Sequence, residues 1–119
     1  MRYLDHNATT PLDPRAREAV VAALSDPLLQ GNPASVHGPG QRARAVVEQA
    51  RRAVARALGA EPLEVTFTSG GTEADNLALF GAARALRAAG RPVGVLTSPL
   101  EHPAVLAAGQ QLARDGHPL

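Results

Sequence analysis

Glu64-Val65-Thr66-Phe67-Thr68-Ser69-Gly70-Gly71-Thr72-Glu73-Ala74-Asp75-Asn76 is the stretch on which the fold turns. Val65 to Thr68 are β-branched or aromatic throughout, so residues 64–68 predict a short strand. Ser69-Gly70-Gly71 predicts a tight turn. Thr72 predicts the N-cap of a helix over 73–89, with Glu73 and Asp75 in a first turn where the helix dipole favours acids. Gly90 is the expected stop. Glycines let the backbone approach a ligand closely, and the amides at a helix start carry partial positive charge. With the Thr72 hydroxyl added, this turn suits a phosphate group. It is neither a Gly-Lys-Ser/Thr loop nor G-x-G-x-x-G. Taken alone, an ordinary glycine turn with a threonine cap reads equally well.

Working outward, Val93-Gly94-Val95-Leu96-Thr97 predicts a second strand. It lacks polar alternation, as a strand buried on both faces does. Pro103 predicts the start of a helix to about Arg114, closed by Gly116. Upstream, Asp13-Pro14 predicts a capped helix that Pro27 stops. Residues 27–40 hold Gly31, Pro33, Gly38, Pro39 and Gly40, and predict a long loop of the kind that carries function. A helix over 41–58 follows, with Ala43, Val46, Val47, Ala50 and Val54 along one stripe, its arginines on a solvated face and Gly59 as its stop. Strand–helix–strand–helix order predicts an α/β fold with a parallel sheet. Two strands make only a partial sheet with flanking helices. The expected organisation is one incomplete domain over 1–119: an N-terminal segment, helix and loop over 1–40, then the start of a larger α/β domain over 41–119.

Composition narrows the function classes. The chain is 45% hydrophobic, much of it alanine, and only Tyr3, Phe67 and Phe80 are aromatic, so a thin core is expected. All twelve basic residues are arginines, and there is no cysteine to form a disulfide or a thiolate metal site. The formal charge of +1 points away from nucleic acid as a partner. No apolar run is long enough for a transmembrane helix, and the first residues carry no signal or transit pattern, so a cytoplasmic location is expected and no membrane partner. The four histidines have no metal-ligand spacing, so no metal is expected.

Glu101-His102-Pro103 lies shortly after the second expected strand. Ligands of open parallel sheets bind beyond the C-terminal strand ends, so Gly71, Thr72 and His102 are expected along one edge. A histidine there could stack on a planar cofactor and move protons. The alternative is a helix-capping or surface histidine. Asp5 to Thr10 read as a turn, and Asn32 to His37 as a loop with Ser35 as a helix cap.

These motifs combine. Tyr3-Leu4-Asp5-His6-Asn7-Ala8-Thr9-Thr10-Pro11, Gly31-Asn32-Pro33-Ala34-Ser35-Val36-His37-Gly38, Phe67 to Asn76, and Glu101-His102 resemble, in order and spacing, the cysteine desulfurases. Those are class V aminotransferase-fold enzymes that depend on pyridoxal phosphate. The resemblance implies the N-terminal piece of the fold type I large domain, with pyridoxal 5'-phosphate as cofactor and L-cysteine as substrate. It implies that Gly71 and Thr72 bind the cofactor phosphate. His102 then stacks on the pyridine ring and assists proton transfer, as a catalytic and cofactor-binding residue. Ala8 and Thr9 then line the substrate entrance. It also implies a homodimer and a part in iron-sulfur cluster assembly. His6 stands where Asn or Tyr is more usual, Gly71 where Ala is, and Ala74 where Ser is.

The larger departure is chemical. The family holds its cofactor as a Schiff base on a lysine and passes sulfur to a cysteine, and this sequence has neither residue. Two functions follow. The chain is the N-terminal part of a desulfurase, inactive alone or completed by a complementary chain as half of a split enzyme. Alternatively it is a non-catalytic truncated or docking fragment.

Overall fold

The structure, a computed structural model, describes residues 2–119. Among the described residues four helices form: α1 (Pro14–Ser25), α2 (Gly38–Leu58), α3 (Gly71–Ala88) and α4 (Pro103–Arg114). Single 3-10 turns lie at Pro27–Leu29 and Pro62–Glu64. The chain divides into two compact units, the first running to Thr66 and the second spanning Phe67–Leu119.

In the first unit, Asp13 caps α1 by accepting the Arg15 amide at 2.8 Å, with Pro14 at the first helical position. The cap and its proline act as expected from their preferences for those sites. No residue of α1 is buried, and Val20, Val21 and Leu24 are exposed. α2 begins three residues earlier than its apolar stripe predicts. Its cap is His37, not Ser35. Ser35 is held in a turn through its own amide, which donates to the Asn32 carbonyl at 2.9 Å. The loop before α2 is pinned to that helix: Gln41 Nε2 donates to the Val36 carbonyl at 2.8 Å, and Arg44 Nε to the Pro33 carbonyl at 2.7 Å. Two arginines of α2 therefore depart from the solvated face expected of them. Arg44 holds the loop, and Arg51 bonds both Glu48 and the carbonyl of Val65. Among the described residues of this unit, only Ala43 and Ala55 are buried apolar residues.

The second unit packs α4 on α3 around Ala83, Val93 and Leu112, with Leu79, Phe80, Leu86 and Val95 partly buried against them. Ala108 and Gly109 turn inward on the same face of α4. The core is thin, as the alanine-rich composition predicts. Leu96 and Leu100 stand almost fully in solvent.

All three glycine stops act as expected. Gly59, Gly90 and Gly116 have φ of 67°, 66° and 89°, the left-handed region that glycine enters without a Cβ penalty. Each closes its helix with the same pair of bonds. The Ala60, Arg91 and His117 amides reach back to the Ala55, Leu86 and Leu112 carbonyls at 2.9, 2.9 and 3.0 Å, while the glycine amide takes the next free carbonyl.

The expected strands are not formed among the described residues. Glu64 belongs to a 3-10 turn, and Val65 is extended at φ −99°, ψ 121° without a ladder partner. Its carbonyl is taken by Arg51 instead. Residues 93–97 have one bond of a sheet-like kind, from the Val95 amide to the Pro118 carbonyl at 2.9 Å. A strand exists only through its neighbours' hydrogen bonds, and here too few neighbours are present to make a ladder.

Candidate phosphate-binding site

The turn before α3 is ordered by its own side chains. Thr68 Oγ1 donates to the Gly70 carbonyl at 3.2 Å. The Ser69 amide and hydroxyl both donate to Glu73 Oε2, each at 2.7 Å. The Ser69 hydroxyl, and then its amide, hold the Glu73 carboxyl below the usual carboxylate range, against a smaller opposing effect of desolvation. A depressed folded value means that this tie is complete above the ordinary 4.5 and is lost as acid titrates the folded carboxylate. Glu73→Gln is therefore expected to weaken exchange protection of the Ser69 amide at neutral pH. It should also remove the acid-dependent loss of protection seen in the parent chain. Amide exchange measured from pH 7 downward checks both.

Thr72 is not the cap of this helix. Gly70 is, in a fully extended conformation (φ 171°, ψ 177°), and Thr72 sits inside the first turn. The helix starts two residues earlier than expected. A cap must keep non-helical backbone, and Gly70 does so without contributing a side chain. The first intrahelical bond runs from the Ala74 amide to the Gly70 carbonyl at 3.1 Å. The amides of Gly71, Thr72 and Glu73 precede it and have no acceptor within the helix. No side chain caps them. A Cβ built on Gly70 or Gly71 would meet no heavy atom within 4 Å. Uncapped donors at the positive end of a helix dipole, beneath open space, are the arrangement that binds a phosphate. The Thr72 hydroxyl is exposed beside them.

His102 is the N-cap of α4. Its Nδ1 accepts the Ala104 amide at 3.2 Å, Pro103 occupies the first helical position, and the ring is exposed. The preceding turn is fixed by the Ser98 carbonyl and hydroxyl, which accept the amides of Glu101 and Leu100, each at 3.2 Å. The last turns of α3 and α4 lie side by side, since Ala83 and Arg87 line one hollow with Leu112 and Asp115. Gly71 and Thr72 stand at the start of α3 and His102 at the start of α4, and no hydrogen bond joins them.

Ala8 and Thr9 lie in the first unit, in a turn that accepts both their amides on the Asp5 carbonyl at 3.2 and 3.3 Å. Tyr3 braces it, its hydroxyl 2.9 Å from the Asp5 carbonyl and 3.0 Å from that of Thr9. Sequence reasoning missed the Ser69–Glu73 tie and the capping role of His37. The second had a signal, a polar residue just before Gly38-Pro39, since proline favours the start of a helix.

A profile of the family described as aminotransferase class-V matches residues 2–118. The cysteine desulfurase of Frankia sp. (strain EuIK1) is 47% identical over 116 residues, covering 98% of this chain and 27% of that protein. The cysteine desulfurase IscS of Stutzerimonas stutzeri (strain A1501) is 45% identical over 115 residues, covering 96% of this chain and 28% of that protein. A solved structure described as a NifS-like protein matches with a TM-score of 0.81 and 38% identity, over 96% of this chain and 30% of that one. The chain thus has the fold of the matching part of that structure, and spans just over a quarter of the curated relatives it matches.

Proposed function

The chain belongs to the aminotransferase class-V family, and on that premise we propose that it forms the phosphate-binding and ring-side portion of a pyridoxal-phosphate cysteine desulfurase. One observation carries the reading: the start of α3 presents uncapped amides beneath open space at Gly70 and Gly71. The residues present fit the phosphate and one ring face of the cofactor. The Gly71, Thr72 and Glu73 amides and the Thr72 hydroxyl would hold the phosphate. His102 would offer its exposed ring to the pyridine face. Bound pyridoxal phosphate supplies an electron sink at the substrate's α-carbon. No amine for a Schiff base and no sulfur-accepting cysteine is present in these 119 residues, so both come from outside them.

In this reading residues 64–68 and 93–97 become strands of a mainly parallel sheet once further strands lie beside them. Ala8 and Thr9 line the entrance for L-cysteine. The complete enzyme is a cytoplasmic homodimer that supplies sulfur for iron-sulfur clusters. Among the described residues no helix is long and apolar enough to cross a membrane. The second reading, a non-catalytic chain that docks on a partner, draws support from the almost fully exposed Leu63, Leu96 and Leu100. Co-expression with a chain carrying the lysine and cysteine segments separates the two. Cofactor absorbance and sulfide release support the first, and a complex without either supports the second. In the assembled enzyme, Thr72→Ala is expected to weaken pyridoxal-phosphate retention about tenfold, the loss of one hydrogen bond to a charged group. Unchanged retention in equilibrium dialysis would leave Thr72 a plain helix residue.

A further inference from the structure

The bond that caps α4 constrains what the His102 imidazole can do. The Ala104 backbone N–H can only donate, so Nδ1, 3.2 Å away, must carry a lone pair. A neutral ring has one protonated nitrogen, and the hydrogen therefore resides on Nε2. His37 is held the same way at the start of α2, its Nδ1 accepting the Gly40 amide at 3.3 Å. His6 is different. Its Nδ1 faces the Thr10 hydroxyl at 3.0 Å, a group that can donate or accept, so its tautomer is not fixed by that contact.

We propose that the α4 cap is a latch on His102: with the cap closed the ring stacks and donates a hydrogen bond from Nε2, and it carries protons only when the cap is open. The proton count requires this. In the capped neutral ring, Nε2 already holds its hydrogen and Nδ1 holds the only lone pair, which the Ala104 amide occupies. A proton taken up at Nδ1 turns that atom into a donor facing a donor, and the Nδ1···H–N contact must break. The resulting cation can release its Nε2 hydrogen to a reacting atom, which leaves the Nδ1–H tautomer with a free lone pair on Nε2. That form can take a proton back at Nε2, and the cap stays open throughout. Closing it again requires loss of the Nδ1 hydrogen.

The charged groups around the ring are few. Glu101 precedes it in the chain, and the α4 residues of the first turn, Pro103, Ala104 and Val105, carry no charge. The helix packed on α4 carries Glu73 and Asp75 near its start and Arg84 and Arg87 towards its end. None of them hydrogen-bonds the imidazole.

The inference deepens the proposed role of His102 and rests on that reading for its catalytic meaning, but its test needs no cofactor. Long-range nitrogen–proton spectra of the labelled chain are expected to show the neutral His102 ring protonated at Nε2 alone, as for His37. Ala104 amide exchange is then followed while the ring's own carbon resonances report its protonation, with His102→Asn at the same pH as reference. Asn also caps well but has no imidazole to titrate. Protection of Ala104 in the parent chain should fall about fivefold relative to H102N, in step with ring protonation. His102→Phe should show the low protection at every pH. An Nδ1–H or averaged neutral ring, or Ala104 exchange that matches H102N throughout, would overturn the latch. Failure to bind pyridoxal phosphate would sink the proposed function and leave the latch standing.

Discussion

The 119-residue chain, mixed with pyridoxal phosphate and L-cysteine, is expected to release no sulfide and to gain no absorbance from a covalently held cofactor. The reason is stoichiometric. A Schiff base needs an amine side chain, and every basic residue here that could approach the cofactor is an arginine, whose guanidinium stays protonated and does not attack a carbonyl. Sulfur transfer to the enzyme needs a thiolate, and there is none. What the chain does hold is a set of uncapped amides at the start of α3 and an exposed imidazole at the start of α4. Adding a second chain that bears the missing lysine and cysteine segments is expected to switch sulfide release from undetectable to turnover. Sulfide assays on each chain alone and on the mixture check this. Turnover by the isolated chain would overturn the assignment of chemistry outside these residues. A stable but inactive mixture would favour the docking reading.

The helices were legible in the sequence because their ends are local. Asp13-Pro14 and the stops at Gly59, Gly90 and Gly116 each satisfy backbone groups within a few residues, so the signal and the structure occupy the same stretch. The strands were not so legible. Val65 and Val95 have strand-forming side chains, but a ladder depends on segments remote in sequence, and Arg51 takes the Val65 carbonyl instead. Two caps were misplaced for a related reason. Thr72 and Ser35 have the preferred chemistry, yet the cap falls where the backbone leaves the helix, at Gly70 and His37. The turn leading into α3 was legible as a composition, two glycines and a hydroxyl at the start of a helix. The Ser69–Glu73 tie that orders it was not, because the acid reaches backwards out of its helix. Of the two roles the sequence offered His102, the structure shows the helix cap.

Gly40→Ala is expected to be the most damaging small substitution in the first unit, with a loss of about 3 kcal/mol, the upper part of the range for overpacking. Gly40 is buried where the loop of residues 31–37 presses on the first turn of α2. A Cβ there would stand 2.7 Å from the carbonyl oxygens of both Asn32 and Ser35. Neither atom can move alone. The Asn32 carbonyl accepts the Ser35 amide, the Asn32 side chain accepts the Ala34 amide at 2.8 Å, and Arg44 holds the Pro33 carbonyl. The approach is mutual, since a Cβ on Gly31 would lie 2.4 Å from the Pro39 carbonyl carbon. Relief would require the loop to lift as a body, which strips the Gln41 and Arg44 bonds to it. Gly81→Ala supplies the opposite control. It lies in the interior of α3 with nothing within 4 Å of its added Cβ. Alanine there should stabilise by up to about 1 kcal/mol through helix propensity alone. Denaturant unfolding of the two variants against the parent chain checks both signs. If G40A unfolds with the parent's midpoint, the loop does not seat on α2 as the backbone distances require. If G40A falls while G81A rises, the damage is steric and specific to that contact.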